Sequence, residues 1–244
     1  PLSAIETRAK ELGAPLYLVA RSPKAQVTWE EVSYSMEGQV INVYGPNFEY
    51  KDLRIPLLGR HQQQNAAMAV ASLELAKLDR SPGGGAPDRD AIARGIASTR
   101  WPGRLEILSR NPAVILDGAH NPGGARALFE AMNLIPRKRL ICVMGILADK
   151  SYGGVASIIA PSCDEVIVTK PDVPRGLDPR VLAEEVGKYV EKVRVEPDIG
   201  KALDAALAKV TPEDVMLCCG SLYLVGSART YLRQRLGMTR DDFE

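Results

Sequence analysis

In the second half of the chain, apolar residues gather in short, nearly continuous runs. These are Ala113–Leu116, Leu140–Met144, Glu165–Val168, Val193–Val195 and Val215–Cys219. Between them, near Asn121–Asn133, Tyr152–Ala160, Pro179–Tyr189, Ile199–Lys209 and Ser221–Leu236, apolar positions return at helical spacing. Strands that alternate with helices of this length form βαβ units and a mostly parallel sheet. Runs with no polar alternation fit strands buried on both faces, so the pattern predicts helices on each side of the sheet.

The first hundred residues read differently. A helical pattern covers Ser3–Leu12, and the apolar stretch Leu16–Ala20 predicts a strand. Alternation in Val32–Met36, Val40–Tyr44 and Phe48–Ile55 predicts a β-meander, with turns at Glu37-Gly38 and Gly45-Pro46-Asn47. A long alanine- and leucine-rich helix follows from Gln62 to Leu78, then a loop, Ser81–Pro87, containing Gly83-Gly84-Gly85, then a helix over Asp88–Ile96. Pro102 and Gly103 break the pattern. The boundary falls there, giving a first domain of residues 1–100 and a second of 101–244.

Composition narrows the function classes. Apolar residues make up 45% and charged residues 25%, with a net charge of +1, so nothing points to nucleic acid or to a membrane surface. No apolar run approaches the about 20 residues of a membrane span. Cys142, Cys163, Cys218 and Cys219 show no CxxC spacing, and three of them lie in strand-like runs. Buried reduced thiols and a cytoplasmic protein are expected. The chain opens at Pro1 and runs at once into a helical pattern, which reads as a piece of a longer protein.

The densest chemistry lies in Asp117–Met132, DGAHNPGGARALFEAM, where a predicted strand ends and a helix begins. Open α/β sheets place ligands at such ends, because helix N-terminal N–H groups favour anions. Asp117 there suits ribose hydroxyls, or else caps the helix. His120, beside Asn121 and Gly123-Gly124, suits a phosphate site; no second histidine or cysteine at ligand spacing makes it a metal ligand. Arg104, after the Trp101-Pro102-Gly103 bend, has the planar fork that grips phosphate, or is an exposed linker charge. Lys150, past the run ending at Met144, fits a substrate carboxylate or is a solvated loop charge. Ser221 follows the last apolar run and serves either as a helix cap or as a hydroxyl facing the ligand crevice. Asn65, with His61 at the head of the long helix, carries an amide suited to an adenine edge, or sits in a polar first turn. There is no GxxxxGK[ST] phosphate loop, no GxSxG elbow and no credible Ser-His-Asp set.

The strings LGAPLYLV (Leu12–Val19), LLGRHQQQNAAMAVASLELA (Leu57–Ala76), TRWPGRLEIL (Thr99–Leu108), DGAHNPGG (Asp117–Gly124), MGILADKS (Met144–Ser151), PRGLDP (Pro174–Pro179) and CCGSLYLVGSAR (Cys218–Arg229) occur in this order. Together they resemble the C-terminal part of folylpolyglutamate synthase/dihydrofolate synthase, within the Mur ligase superfamily. The resemblance implies an α/β fold: a Rossmann-like, mostly parallel sheet over residues 101–244 with helices on both faces, preceded by the remnant of an α/β ATPase domain over residues 1–100. It implies an ATP-dependent ligase, aided by magnesium, that phosphorylates a carboxylate and lets the amine of L-glutamate attack the acyl phosphate. The acceptor would be a reduced folate. Asn65 would contact adenine, Arg104 the phosphates and Asp117 the ribose. His120, Lys150 and Ser221 would lie nearest the reacting phosphate and the glutamate, with His120 and Lys150 catalytic. The family's phosphate loop and magnesium ligands have no counterpart here, so the 244 residues alone are expected to be inactive. The family often has an acid after the lysine, where this chain has Ser151. A complete enzyme would be a monomer, while the first domain, lacking its neighbours, would expose apolar surface and could self-associate. Two alternatives stand beside this reading: a Mur-type ligase acting on a UDP-muramyl acceptor, and a noncatalytic nucleotide-binding module.

Overall fold

Residues 2–76 and 88–238 are described by the computed structural model. The loop Ser81–Pro87 and the last residues of the helix expected to reach Leu78 lie outside them. The contacts divide the chain into two compact units, residues 1–100 and 101–244.

In the first unit, α1 (Leu2–Leu12) buries none of its residues and exposes Leu2, Ile5 and Leu12. Strands β1 (Thr28–Ser35), β2 (Gly38–Gly45) and β3 (Phe48–Ile55) form the expected antiparallel meander in the order β1-β2-β3. The pairing slips between Ile41 and Val43, opposite Asp52, whose φ is 52° and whose N–H bonds Asn42 Oδ1 at 3.0 Å. That extra residue carries the buried set from Phe48 and Tyr50 to Leu53 and Ile55 without turning the core side outward. Helix α2 (Arg60–Ala76) covers this face with Ala66, Ala67, Val70 and Ala71, and α3 (Arg89–Ala97) adds Ile92. The strand expected over Leu16–Ala20 does not form. Only Val19 bridges to Val27, and the Leu18 N–H is taken by the Gln26 side chain at 2.7 Å. Leu16 and Tyr17 remain exposed. A side-chain acceptor has displaced the ladder there.

The second unit has β4 (Glu106–Arg110), β5 (Ala113–Asp117), α4 (Pro122–Met132), β6 (Leu140–Met144), α5 (Tyr152–Ile159) and β7 (Glu165–Val168). It continues with α6 (Pro179–Val186), β8 (Val193–Val195), α7 (Ile199–Leu207), β9 (Val215–Cys219) and α8 (Leu222–Arg235). The sheet order is β4-β5-β9-β6-β7-β8; every pair is parallel except β4 with β5. Helices α4, α5 and α6 pack in one layer, and α7 with α8 in the other. Both layers bury the continuous apolar strands, and all residues of β5, β6 and β9 are buried. The antiparallel edge β4 was not expected. Its Glu106, Ser109 and Arg110 dilute the apolar signal, and it starts just after the Pro102-Gly103 break.

Candidate active site

Strand β9 is inserted between β5 and β6, so β5 and β9 are neighbours whose following helices, α4 and α8, go to opposite layers. A crevice opens between two such loops at the carboxyl ends of the strands. Asp117 is level with Cys219, and Cys219 with Met144, so the residues after all three strands share one edge.

At the end of β5, Asp117 is 7% exposed. Its Oδ2 accepts the Leu105 N–H at 2.9 Å and its Oδ1 accepts the Ala119 N–H at 2.8 Å. The Gly118 N–H also bonds the Gly103 carbonyl at 2.8 Å. These bonds lay the segment carrying Arg104 along the end of the strand. Gly103 (φ 73°) and Leu105 (φ 46°) both take left-handed backbone to do so, and for Leu105 that conformation is strained. Burial pushes the Asp117 carboxyl above its ordinary range. The N–H groups of Leu105 and Ala119, and then the charge of Arg104, pull the other way. Each carboxylate oxygen keeps a lone pair for a further donor. Asp117 does not cap α4: Asn121 does, accepting the Gly124 N–H at 2.8 Å.

His120 is half-buried, with Nδ1 2.8 Å from the Gly118 carbonyl oxygen. A carbonyl only accepts, so Nδ1 carries a proton, and it is the neutral form of the ring that has an Nε2 lone pair to offer elsewhere. Ser221 caps α8 through Oγ, which accepts the Tyr223 N–H at 3.1 Å, and it is buried. Lys150 pairs with Asp149 at 3.0 Å, and Arg175 reaches the same carboxylate at 3.6 Å. Arg175 also donates to the Tyr223 hydroxyl at 3.2 Å and lies over its ring. Lys150 and Arg175 hold the Asp149 carboxyl below its usual range, the bond from Lys150 being the larger cause. The loops are fastened by the Ala148 N–H on the Arg175 carbonyl and by a bridge of Leu147 to Gly176.

The second unit thus groups Asp117, Arg104 and His120 around the end of β5. It links Ser221 to Lys150 through Tyr223, Arg175 and Asp149 on the neighbouring strand ends. Asn65 belongs to the first unit, exposed on α2. Sequence reasoning gave no role to Arg175, nor to Glu106, whose carboxylate accepts the Gly103 N–H at 2.8 Å and pairs with Arg229 at 2.8 Å. Both stood inside quoted strings, PRGLDP and WPGRLE, but a strand-edge bond to a backbone N–H has no spacing signature. Among the described residues no group of three or more His, Cys, Asp or Glu is placed to hold a metal. No described helix is long and apolar enough to cross a membrane.

A mostly parallel six-stranded sheet with an acidic residue, a histidine and basic loops at its carboxyl edge matches one class of enzyme domain. Residues 103–222 fit the Mur ligase, glutamate ligase domain, so the second unit is a Mur ligase C-terminal domain. Its relatives there include folylpolyglutamate synthases and also a UDP-N-acetylmuramyl-tripeptide synthetase of Lactobacillus acidophilus, 30% identical over 69% of this chain and 32% of its own length. A probable bifunctional folylpolyglutamate synthase/dihydropteroate synthase of Halobacterium salinarum is 41% identical over 72% of this chain and 21% of its own length. The dihydrofolate synthase/folylpolyglutamate synthase of Mycobacterium tuberculosis is 34% identical over 79% of this chain and 42% of its own. A crystal structure of the M. tuberculosis folylpolyglutamate synthase complexed with ADP and AMPPCP superposes with a TM-score of 0.83 at 29% identity, covering 94% of this chain and 52% of that one. The chain spans about half, or less, of the proteins it matches.

Proposed function

We propose that these residues are part of an ATP-dependent ligase that adds L-glutamate to the glutamate tail of a reduced folate through an acyl phosphate. The arrangement that carries the reading is the buried Asp117 carboxylate with Arg104 and His120 at the end of β5, inside a Mur ligase domain. Relatives named as folylpolyglutamate synthases, one of them complexed with ADP, support the choice of acceptor and nucleotide.

Asn65 is assigned the adenine edge, Asp117 the ribose hydroxyls and Arg104 the phosphates. His120 Nε2 is assigned the proton that the glutamate ammonium must shed before its amine attacks; a positioned base of this kind contributes roughly 10²–10⁴ in rate. Lys150, with Arg175 beside it, meets carboxylate charge, and Ser221 sets the start of α8 at the same edge. ATP supplies the phosphoryl group that turns the carboxylate oxygen into a leaving group. Among the described residues no group of three or more His, Cys, Asp or Glu stands together, and no GxxxxGK[ST] loop is present to cradle the β- and γ-phosphates. Ligation therefore needs residues beyond these 244.

The test is glutamate-dependent phosphate release from ATP, with a reduced folate and a UDP-muramyl peptide precursor as rival acceptors. It is run on this chain and on a longer protein supplying the phosphate loop. Turnover with folate in the longer protein alone is the expected result. Turnover with the muramyl acceptor would move the assignment to cell-wall chemistry, and turnover by the 244 residues alone would remove the claim of inactivity.

A further inference from the structure

The head of α2 holds a short relay of amides. Gln62 is buried, while Asn65, three residues on, is exposed. Asn65 Nδ2 donates to Gln62 Oε1 at 2.9 Å, and Gln62 Nε2 lies 3.0 Å from His61 Nε2. Which group donates between His61 and Gln62 is set by the tautomer of the ring. In the neutral imidazole with its proton on Nδ1, Nε2 only accepts, so Gln62 must turn its NH₂ to His61 and its oxygen to Asn65. Asn65 must then spend one N–H on Gln62. It retains Oδ1 as an acceptor and one N–H as a donor.

An acceptor beside a donor complements an edge on which an amino group neighbours a ring-nitrogen acceptor, which is adenine's N6/N7 edge. Guanine offers two acceptors there, O6 and N7, so one of them would face Oδ1 and repel it. A freed Asn65 amide could rotate and give both N–H groups to guanine. We propose that Gln62 is a positioning residue: by holding the Asn65 amide in one sense it makes the site select adenine over guanine nucleotides. This rests on the assignment of Asn65 to the base.

The test measures ADP and GDP dissociation constants by NMR titration of the 244-residue chain, up to millimolar nucleotide. The variants are Gln62→Met, which keeps length and burial but loses the acceptor, Gln62→Glu, which keeps an acceptor, and Asn65→Ala. The ADP preference of the unsubstituted chain should fall about tenfold in Gln62→Met, the worth of about one hydrogen bond, and survive in Gln62→Glu. A general loss of packing would weaken both nucleotides alike and leave the ratio unmoved. A preference that vanishes in Asn65→Ala but persists in Gln62→Met overturns the role of Gln62 alone. A preference indifferent to Asn65→Ala overturns the base assignment and this inference with it. Should Gln62→Met fail to fold, the Asn65 side-chain amide of the unsubstituted chain decides. One proton shifted downfield by a bond to Gln62 supports the relay, and two solvent-like protons refute it.

Discussion

Two buried aspartates of the second unit are shifted in opposite directions. Asp117 has its carboxyl pushed up, desolvation outweighing the N–H groups of Leu105 and Ala119. A raised folded value means that folding binds a proton, so its contribution to stability falls as pH rises from the ordinary carboxyl value through the raised one. Asp214 is also buried, yet the Arg139 guanidinium at 2.7 Å, with help from the Thr211 N–H, pulls its carboxyl far below the ordinary value of 3.8. That contribution is present above the ordinary value and is lost as pH falls below it. Asp214→Asn should therefore flatten the loss of urea midpoint below about pH 4; an acid limb as steep as in the unsubstituted chain would refute this. Asp117→Asn brings an amide NH₂ against a backbone N–H and should cost about 1–3 kcal/mol, read as a lower urea midpoint. The same change should weaken ADP binding. A neutral effect on both would mean that Asp117 merely fills space.

At the scale of elements, the close approach of β9 to the loop after β6 depends on a glycine. Gly220 has φ 111°, and a Cβ there would meet the Gly145 carbonyl oxygen at 2.7 Å, a backbone atom that cannot swing aside. Gly220→Ala is expected to cost about 2–4 kcal/mol from strain and overpacking together. Gly226, inside α8 with open space where a Cβ would go, should gain about 0.5–1 kcal/mol on changing to alanine. Chemical denaturation of the two variants checks the opposite signs. The elements of this unit were largely legible in the sequence because strands buried on both faces are apolar throughout, as in Leu140–Met144. The failures were local. Leu16–Ala20 looked apolar enough for a strand, but no periodicity shows that a Gln26 side chain will take the Leu18 N–H. The site was legible as a set of residue types at strand ends. What stayed hidden were the bonds that make Asp117 an anchor for the Arg104 segment, and the Arg175 that ties Lys150 to α8, because these join residues far apart in the chain.

For the molecule as a whole, each unit has its own buried core. One is built on Ile41, Val43, Leu53 and Val70, the other on Leu116, Val143, Met216 and Leu224. Residues 101–244 produced alone should unfold cooperatively in urea, since their sheet and both helix layers are complete within that span. A molten or aggregated product would contradict this. All four cysteines lie in the second unit, and all four are free and buried. Cys142 and Cys219 even sit sulfur to sulfur at 3.7 Å between adjacent strands. The folded chain should thus react slowly with maleimides, with alkylation awaiting an opening of this unit and no other. The rate of thiol labelling becomes a clock for one half of the molecule, running without mutation. Bound nucleotide at the carboxyl edge should slow that clock in proportion to how tightly it holds the sheet shut.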